Sequence, residues 1–463
     1  MGAAGASLSA RAALALLLGA VAALASALVP AGDPDGFWHI ATGRDLLRDG
    51  LARADVYAWT AAGAPLASDQ WLGQLAFALA YEGGGWRGVV VLRALAGGAA
   101  VTLTALAALT ERSARPLVAI TAAIPALLLM RAVWTERPQL LALALFAALI
   151  LLVRAAWGGE RRALWAAVPL LLVWANVHGS YALGLVLLGL AALVLRRPDA
   201  VAAALAAAGA TLLTPAWAAT LAAPSSHFLS PPRYLQEWAV PDLLAPAGLV
   251  LAGTLAAVLA TALLGRASPR EAVILLPVVF ISLSAARHAP YLAIAAAPFL
   301  AAHAPAAARG FAELVRSRIP ELAPARPARA LTAVSLALAA LSLALVPLVA
   351  PARPDLRAYP EAALPALRPG AGLFHEYDWG GFLILRAPAT KVFIDGRLAP
   401  YVPRVVNDYT TIVEAHAGWR ETIARLGVTQ LLVRPTAAVA VRARELGWRE
   451  AAAGDGFVLF EVP

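Results

Sequence analysis

The chain has 463 residues, of which 61% are hydrophobic and only 14% are charged, and its mean hydropathy is +0.73. Soluble globular domains carry about 45–50% apolar and about 25% charged residues, so the composition excludes a purely soluble protein. Because the chain has no cysteine, it has no disulfide framework, thiolate nucleophile or cysteine-ligated metal.

The net charge of +9 comes mainly from arginines that stand between apolar blocks. Such arginines are typical of cytoplasmic loops of membrane proteins. Basic and aromatic residues are not interleaved as in nucleic-acid-binding proteins. The charge pattern therefore predicts a lipid bilayer, and no nucleic acid, as a partner.

The first predicted element is the apolar run Ala12–Val29, which follows Arg11. It has two interpretations: a signal peptide cleaved at Ala25–Ala27, or a retained first transmembrane helix. The run is long enough to span a bilayer and further apolar blocks follow it, which favours the retained helix.

Arginine clusters divide the following 320 or so residues into apolar blocks, and loops rich in arginine stay in the cytoplasm. These clusters are Arg112 and Arg115, Arg161 and Arg162, Arg196 and Arg197, Arg266 and Arg270, and the stretch 309–329. The apolar blocks lie near residues 88–110, 117–133, 138–156, 163–177, 180–195, 199–213, 244–264, 271–286, 288–304 and 330–350.

With the first helix, these blocks predict about eleven spans. Several blocks have only about 15 residues, against about 20 for an ordinary span, so half-helices or tilted pairs are an alternative for these. An odd number of spans with the N-terminus inside places the C-terminus outside. The segment Gln70–Tyr81 is apolar with a helical period but short for a span, and we interpret it as an interfacial helix on the outer side. If it crosses, the span count changes.

After Pro351 the composition changes to short apolar runs between polar segments, which is typical of a small α/β domain. The predicted strands are Gly381–Arg386, Lys391–Asp395, Gln430–Val433 and Phe457–Val462, and the predicted helices are Gly418–Leu426 and Val439–Leu446. We therefore predict a polytopic α-helical membrane domain at 1–350, with an outer first loop at about 31–87, and an extracytoplasmic α/β domain at 351–463.

Asp33-Pro34-Asp35 directly follows the first span and is a candidate catalytic motif. Two carboxylates at a membrane exit can supply a general base or bind a divalent metal. Alternatively, Asp33 is a helix N-cap, Pro34 the first helical residue and Asp35 a first-turn acid, with Trp38 as an interfacial anchor.

Several arginines and histidines fall in predicted outer loops, where the positive-inside rule disfavours arginine. They are Arg137, Arg233, Arg287, His39, His178, His227 and His288. A lipid phosphate would give them a shared partner, whereas local pairing, of Glu136 with Arg137 or of Glu237 with Arg233, would make them structural. No zinc-binding histidine motif is present.

Two motifs of the C-terminal segment, Tyr377–Gly381 and Phe393–Arg397, contain Asp and Gly at positions typical of turns. Turn formation accounts for both without a function. The chain contains no glycine-rich phosphate loop and no nucleophile elbow.

Together these motifs resemble a bacterial family of membrane proteins related to the GT-C glycosyltransferases, along nearly the whole chain and more weakly between about 200 and 350. The matching runs are Asp33-Pro34-Asp35 with Trp38, His39, Thr42, Gly43 and Arg44; Asp69–Leu72; Arg137–Gln139; Trp174–Asn176 with His178 and Gly179; Asp378–Gly381; and Phe393–Arg397.

The resemblance implies an enzyme of the bacterial inner membrane that transfers a sugar from a polyprenyl-phosphate donor to an extracytoplasmic acceptor, with inversion. It implies Asp33 or Asp35 as general base, with a divalent metal left open at these two residues. It implies a donor- and phosphate-binding set of His39, Arg44, Asp69, Glu136, Arg137, Asn176, His178, Arg287 and His288.

A rival interpretation is a non-catalytic protein that binds, flips or assembles a lipid-linked glycan. Transporters of this kind show internal repeats and broken helices; no clear repeat is visible, which favours the enzyme. For the enzyme we expect Arg137, His178, Arg287 and His288 to converge with the segment Asp33–His39.

Overall fold

The architecture was determined from a computed structural model of the chain, which describes residues 2–66, 69–111, 113–217, 236–265, 268–314 and 329–463. Arg112, His227, Arg233, Arg266 and most of the arginine-rich stretch 309–329 lie outside the described residues. The proposed pairing of Glu237 with Arg233 therefore lies outside them too.

The chain forms two compact units. We call the first the helical unit; it comprises Met1–Val29, Val90–Trp134 and Pro138–Ala350. We call the second the mixed unit; it comprises Pro30–Val89, Thr135–Arg137 and Pro351–Pro463. The C-terminal segment thus shares its compact unit with the first loop and with a three-residue segment around Arg137.

The helical unit is built from α1 and from the helices between residues 90 and 350. Their bounds are α1 Gly2–Ala27, α3 Trp71–Leu109 (of which residues 90–109 belong here), α4 Pro116–Met130, α5 Pro138–Trp157, α6 Ala163–Val177, α7 Tyr181–Leu195, α8 Pro198–Ala210, α9 Pro246–Leu264, α10 Pro269–Ser284, α11 Ala289–Leu314 and α12 Arg329–Val349. Helix α2, Pro34–Asp49, belongs to the mixed unit.

In the part of the chain that the structure describes, seven helical stretches are long and apolar enough to cross a membrane. They correspond to α1, α3, α4, α5, α9, α11 and α12. The helices α6, α7 and α8 are apolar but shorter, at 15, 15 and 13 residues. The prediction of a multi-pass membrane domain is confirmed, and the predicted number of about eleven spans is not.

Local sequence explains where these helices begin. Pro116, Pro198, Pro246 and Pro269 each stand at the start of a helix, where a missing N–H has no cost. Ser268 and Glu271 form a capping box at the start of α10. Small residues then permit close packing, because a Cβ on Gly98 of α3 would lie 2.9 Å from the Cβ of Ala23 in α1.

The segment Gln70–Tyr81 belongs to the start of α3, which begins at Trp71 and is 39 residues long. Gly85 interrupts this helix with non-helical dihedral angles, φ 56° and ψ −147°. Glycine tolerates this region at low cost, so the break separates a first helical piece from the apolar stretch that continues to Leu109.

The mixed unit contains a four-stranded sheet in the order β1–β2–β4–β3. The strands are β1 Leu373–His375, β2 Gln430–Val433, β3 Glu450–Gly454 and β4 Phe457–Glu461, and the helices are α13 Gly380–Arg386, α14 Arg404–Val413, α15 Trp419–Leu426 and α16 Ala438–Glu445. Strand β1 pairs with β2 in parallel, whereas β4 pairs with β2 and β3 in antiparallel fashion.

Two strand predictions in this unit are wrong. Gly381–Arg386 is helical, and Lys391–Asp395 forms only an isolated bridge between Val392 and Ala58. A short apolar run does not distinguish a strand from a buried helix by period, and residues 380–384 are all buried. Predictions for β2, β4, α15 and α16 agree with the structure to within one or two residues, whereas β1, β3 and α14 were not predicted.

Candidate functional site

The acidic motif begins helix α2 of the mixed unit. Asp33 is the N-cap: its Oδ1 accepts a hydrogen bond of 2.9 Å from the backbone N–H of Asp35. Pro34 is the first helical residue and Asp35 lies in the first turn, where a negative charge interacts favourably with the helix dipole. The helix-start interpretation of this motif is therefore correct, and any chemical role exists in addition to it.

Arg137 connects the two carboxylates. Its Nε lies 2.7 Å from Asp33 Oδ1 and its Nη2 3.0 Å from Asp33 Oδ2, a bidentate arrangement, while Nη1 lies 3.0 Å from Asp35 Oδ2. All three side chains are mostly buried, with 10% of Asp33 and 18% of both Asp35 and Arg137 exposed. The guanidinium therefore contacts both carboxylates in a partly desolvated site, and its single positive charge offsets one of their two negative charges.

Glu136 holds the chain that leads into this motif. Its Oε2 accepts hydrogen bonds from the backbone N–H groups of Gly32, at 3.2 Å, and Asp33, at 3.0 Å. Gly36 lies against it so closely that an added Cβ would be 2.8 Å from the Cβ of Glu136. Glu136 is 1% exposed, so it fixes backbone geometry at the start of α2.

Asp35 is also bound by an aromatic neighbour on its own helix. The indole Nε1 of Trp38 donates a hydrogen bond of 2.9 Å to Asp35 Oδ1. Trp38 was predicted to be an interfacial anchor, yet it is 5% exposed. Its position three residues after Asp35 on α2 explains the contact, because residues i and i+3 share a helix face.

Tyr359 is a site residue that the sequence analysis did not identify. Its hydroxyl donates a hydrogen bond of 2.6 Å to the carbonyl oxygen of Gly32, and its ring packs against Phe37 and Phe382. Burial, and then the nearby Asp33 carboxylate, raise the pKa of Tyr359 well above its usual value. No local motif surrounds Tyr359, so only the three-dimensional arrangement could reveal it.

A second, largely buried ionic network lies within the mixed unit. Arg397 contacts Asp55 and Asp395, each at 2.5 Å, and the hydroxyl of Tyr401 donates a hydrogen bond to Asp395 at 2.6 Å. Burial alone would raise the pKa of Asp395, but the guanidinium of Arg397 and these hydrogen bonds hold it below its usual range. The motif Phe393–Arg397 is thus held in place by buried contacts. Asp395 and Arg397 form part of this ionic network as well as the turn.

Three other predicted residues also belong to the mixed unit. His39 is buried with its ring against Trp38. Arg44 is half-exposed and pairs with Glu82 at 2.6 Å; it lies nine positions after Asp35 on α2, or roughly 13 Å along the helix axis. Asp69 is half-buried just before α3, and burial raises its pKa to about 6.

Asn176 and His178 lie at the end of α6 in the helical unit. The amide nitrogen of Asn176 donates to the carbonyls of Leu172 and Leu213. The Nδ1 of His178 accepts from the backbone N–H of Ser180 at 3.1 Å, so the proton of a neutral imidazole is on Nε2. Asn176 therefore ties two helix ends together, and half-exposed His178 presents an N–H donor.

Arg287 and His288 follow α10 in the same unit. Arg287 contacts Glu237 at 2.7 Å and Gln139 Oε1 at 2.5 Å, and its guanidinium stacks over the ring of Trp238 at 4.8 Å. The His288 ring lies edge-on to Trp238. The predicted residues are therefore divided between the two units: Asp33, Asp35, Glu136 and Arg137 belong to the mixed unit, and Asn176, His178, Arg287 and His288 belong to the helical unit.

The residues that the structure describes contain no cluster of three or more His, Cys, Asp or Glu side chains suited to a metal. Between Asp33 and Asp35 lies the Arg137 guanidinium. A divalent cation shared by these two carboxylates would have to displace it, so the arrangement does not fit a metal at the predicted position.

The fold and the site define a class: a multi-pass membrane protein whose first non-membrane segment begins with an arginine-bound acidic motif. Comparisons with protein families and with curated proteins find no match. Among solved structures, the chain resembles ArnT from Cupriavidus metallidurans bound to undecaprenyl phosphate, with TM-score 0.53 and 15% identity over 96% of this chain and 97% of ArnT.

It also resembles the archaeal oligosaccharyltransferase AglB from Archaeoglobus fulgidus, solved with an inhibitory peptide and a dolichol-phosphate. The TM-score is 0.58 and the identity 12%, over 91% of this chain and 69% of AglB. These likenesses confirm the GT-C fold that the sequence resemblance implies.

Proposed function

We propose that this protein is a glycosyltransferase that transfers a sugar from a polyprenyl-phosphate donor to an acceptor hydroxyl on the outer face of the membrane. The observation that carries the proposal is the partly buried Asp35–Arg137–Asp33 cluster at the start of α2. Support for the donor class comes from solved proteins of the same fold, which hold undecaprenyl phosphate or dolichol-phosphate.

Asp35 is the better candidate for the general base. Both oxygens of Asp33 accept hydrogen bonds from Arg137, and its Oδ1 also caps α2. Asp35 is the more exposed of the two carboxylates and has no capping duty. In the proposed reaction Asp35 takes the proton of the acceptor hydroxyl as its oxygen attacks the anomeric carbon.

The bond from the anomeric carbon to the phosphate oxygen breaks as the new bond forms on the opposite face, so the configuration is inverted and polyprenyl phosphate leaves. Its charge requires cationic or N–H donor groups. We propose Arg137 for this role, because arginine forks bind phosphate oxygens. Asp33 then serves to orient Arg137 through the bidentate contact.

The test uses the full chain in nanodiscs with a panel of polyprenyl-phosphate sugars and a membrane extract as acceptor source. Release of polyprenyl phosphate is measured for the wild type, Asp35→Asn and Asp33→Asn. We expect release from the wild type and its loss in Asp35→Asn. Wild-type protein that binds undecaprenyl phosphate but releases none from any donor would favour the non-catalytic alternative, and full activity of Asp35→Asn would refute the assigned base.

A further inference from the structure

The two C-terminal motifs of the mixed unit pack directly against the acidic motif. At Gly381, an added Cβ would overlap the carbonyl oxygen of Pro34 and lie 3.2 Å from Trp38 Cδ1. At Gly396, an added Cβ would overlap Asp35 Oδ1, lie 2.7 Å from Asp35 Cγ and lie 3.0 Å from Trp38 Nε1. Glycine at 396 therefore leaves the space that the Asp35 carboxylate occupies.

Gly380 connects the two motifs to each other. An added Cβ there would overlap the carbonyl oxygen of Ile394 and lie 2.8 Å from the Cβ of Asp395. Asp395 is itself held by Arg397 and Tyr401, and Arg397 also contacts Asp55. The backbone that carries Gly396 is thus fixed on both sides by buried contacts, so it can act as a rigid support.

We propose that Gly396 is a positioning residue for Asp35: with Trp38 it forms a support that holds the carboxylate in one orientation, and the buried Asp55–Arg397–Asp395 network keeps that support in place. A carboxylate wedged between an indole N–H, a guanidinium and a glycine backbone has few alternative rotamers, which is what a general base requires. The catalytic consequence rests on the proposed function, whereas the contact itself does not.

The test is a double-mutant cycle on the full chain in detergent. Thermal unfolding is measured for the wild type, Gly396→Ala, Asp35→Ala and the double variant. We expect Gly396→Ala to lower the Tm by several degrees when Asp35 is present and by much less when Asp35 is Ala, because the overlapping carboxylate is then gone. Gly83→Ala is the control, because Gly83 has no heavy atom within 4 Å of an added Cβ; its effect should be equal in both backgrounds.

A second measurement covers the case in which Gly396→Ala does not fold. The chain has no cysteine, so Asp35→Cys introduces a single thiol, and its labelling rate with a small methanethiosulfonate reagent reports how the side chain is held. We expect Trp38→Phe, which removes the indole N–H and keeps an aromatic ring, to change this rate severalfold, and Gly83→Ala to leave it unchanged.

Equal Tm losses from Gly396→Ala in both backgrounds, or an unchanged labelling rate in Trp38→Phe, would overturn the proposal. Neither readout requires turnover, so failure of the positioning proposal is distinguishable from failure of the glycosyltransferase proposal. If turnover is found, Gly396→Ala should lower kcat more than it changes KM, because a misplaced base affects the chemical step.

Discussion

Single residues of the acidic motif carry two duties at once. Asp33 caps α2 and also binds Arg137 with both oxygens. The Asp35 carboxylate interacts favourably with the helix dipole and also accepts a hydrogen bond from the indole N–H of Trp38. The two carboxylates therefore differ in how much of their role a substitution can preserve, since asparagine is as good an N-cap as aspartate.

The first prediction compares substitutions of these two residues. Asp35→Asn keeps the shape of the side chain and should express at the wild-type level, yet it should lower the transfer rate by about 10²–10⁴-fold, as the loss of a general base does. Asp33→Ala should instead cost about 0.5–2 kcal/mol of stability through the lost cap. Transfer assays and thermal unfolding check both; normal turnover by Asp35→Asn would contradict the assignment.

A second residue-scale prediction concerns His375. This fully buried side chain accepts a hydrogen bond from the Phe393 N–H on Nε2 and donates from Nδ1 to the Glu376 carbonyl, so it is neutral. Burial lowers the pKa of His375 to about 4, below its usual value near 6.5. Because the unfolded chain binds the proton more readily, the stability is fully present above pH 6.5 and decreases as the pH falls towards 4.

The slope contributed by one such group reaches about 1.4 kcal/mol per pH unit. Unfolding measured between pH 7 and pH 5 should show a smaller slope in His375→Gln than in the wild type. The exposed His416 provides a matched His→Gln substitution as the control. Equal slopes in all three proteins would mean that His375 titrates normally.

At the scale of elements, buried ion pairs connect specific positions on neighbouring helices, whereas apolar packing is not directional. In the helical unit Arg154 of α5 contacts Glu111 at 2.6 Å and Glu271 of α10 at 3.0 Å, and His303 of α11 contacts Glu271 at 2.7 Å. One cation therefore joins α5, α10 and the loop after α3.

Removal of this cation should destabilise the helical unit. Arg154→Met leaves the two glutamates without their shared partner, and breaking a buried pair in this way costs about 3–5 kcal/mol. Arg161→Met is the matched control, because Arg161 is 72% exposed in its pair with Asp199 and surface pairs contribute about 0–1 kcal/mol. Similar Tm values for the two variants would show that the buried network contributes little.

At the scale of the whole molecule, the segments that make up the mixed unit constrain the membrane topology. The first loop and the C-terminal segment belong to one compact unit, so both must lie on the same side of the membrane. The arginine clusters predict that this side is the outer one. The segment Thr135–Arg137 belongs to the same unit, so it lies on that side of the membrane as well.

Cysteine labelling tests this topology, because the natural chain has no cysteine. A membrane-impermeant maleimide added to intact cells should label Ala62→Cys and Asp455→Cys, which are exposed positions of the mixed unit, and should not label Arg161→Cys. Labelling of only one of the first two would contradict the compact unit. Labelling of Arg161→Cys alone would reverse the orientation.

The sequence by itself determined the features that depend on neighbouring residues. Apolar blocks predict membrane helices because a bilayer sets their length, and Asp33-Pro34 predicts the start of α2 because a cap involves only the next few residues. The strands Gln430–Val433 and Phe457–Glu461 follow in the same way from a local pattern.

Only the tertiary structure decided which distant segments form the acidic site. Asp33 and Arg137 meet across 104 residues, and Gly396 meets Asp35 across an even longer separation. The run Gly380–Arg386 is a helix whose first five residues are buried, which its short apolar sequence did not distinguish from a buried strand. These contacts depend on the packing of many segments together, so no local sequence pattern in any one segment indicates them.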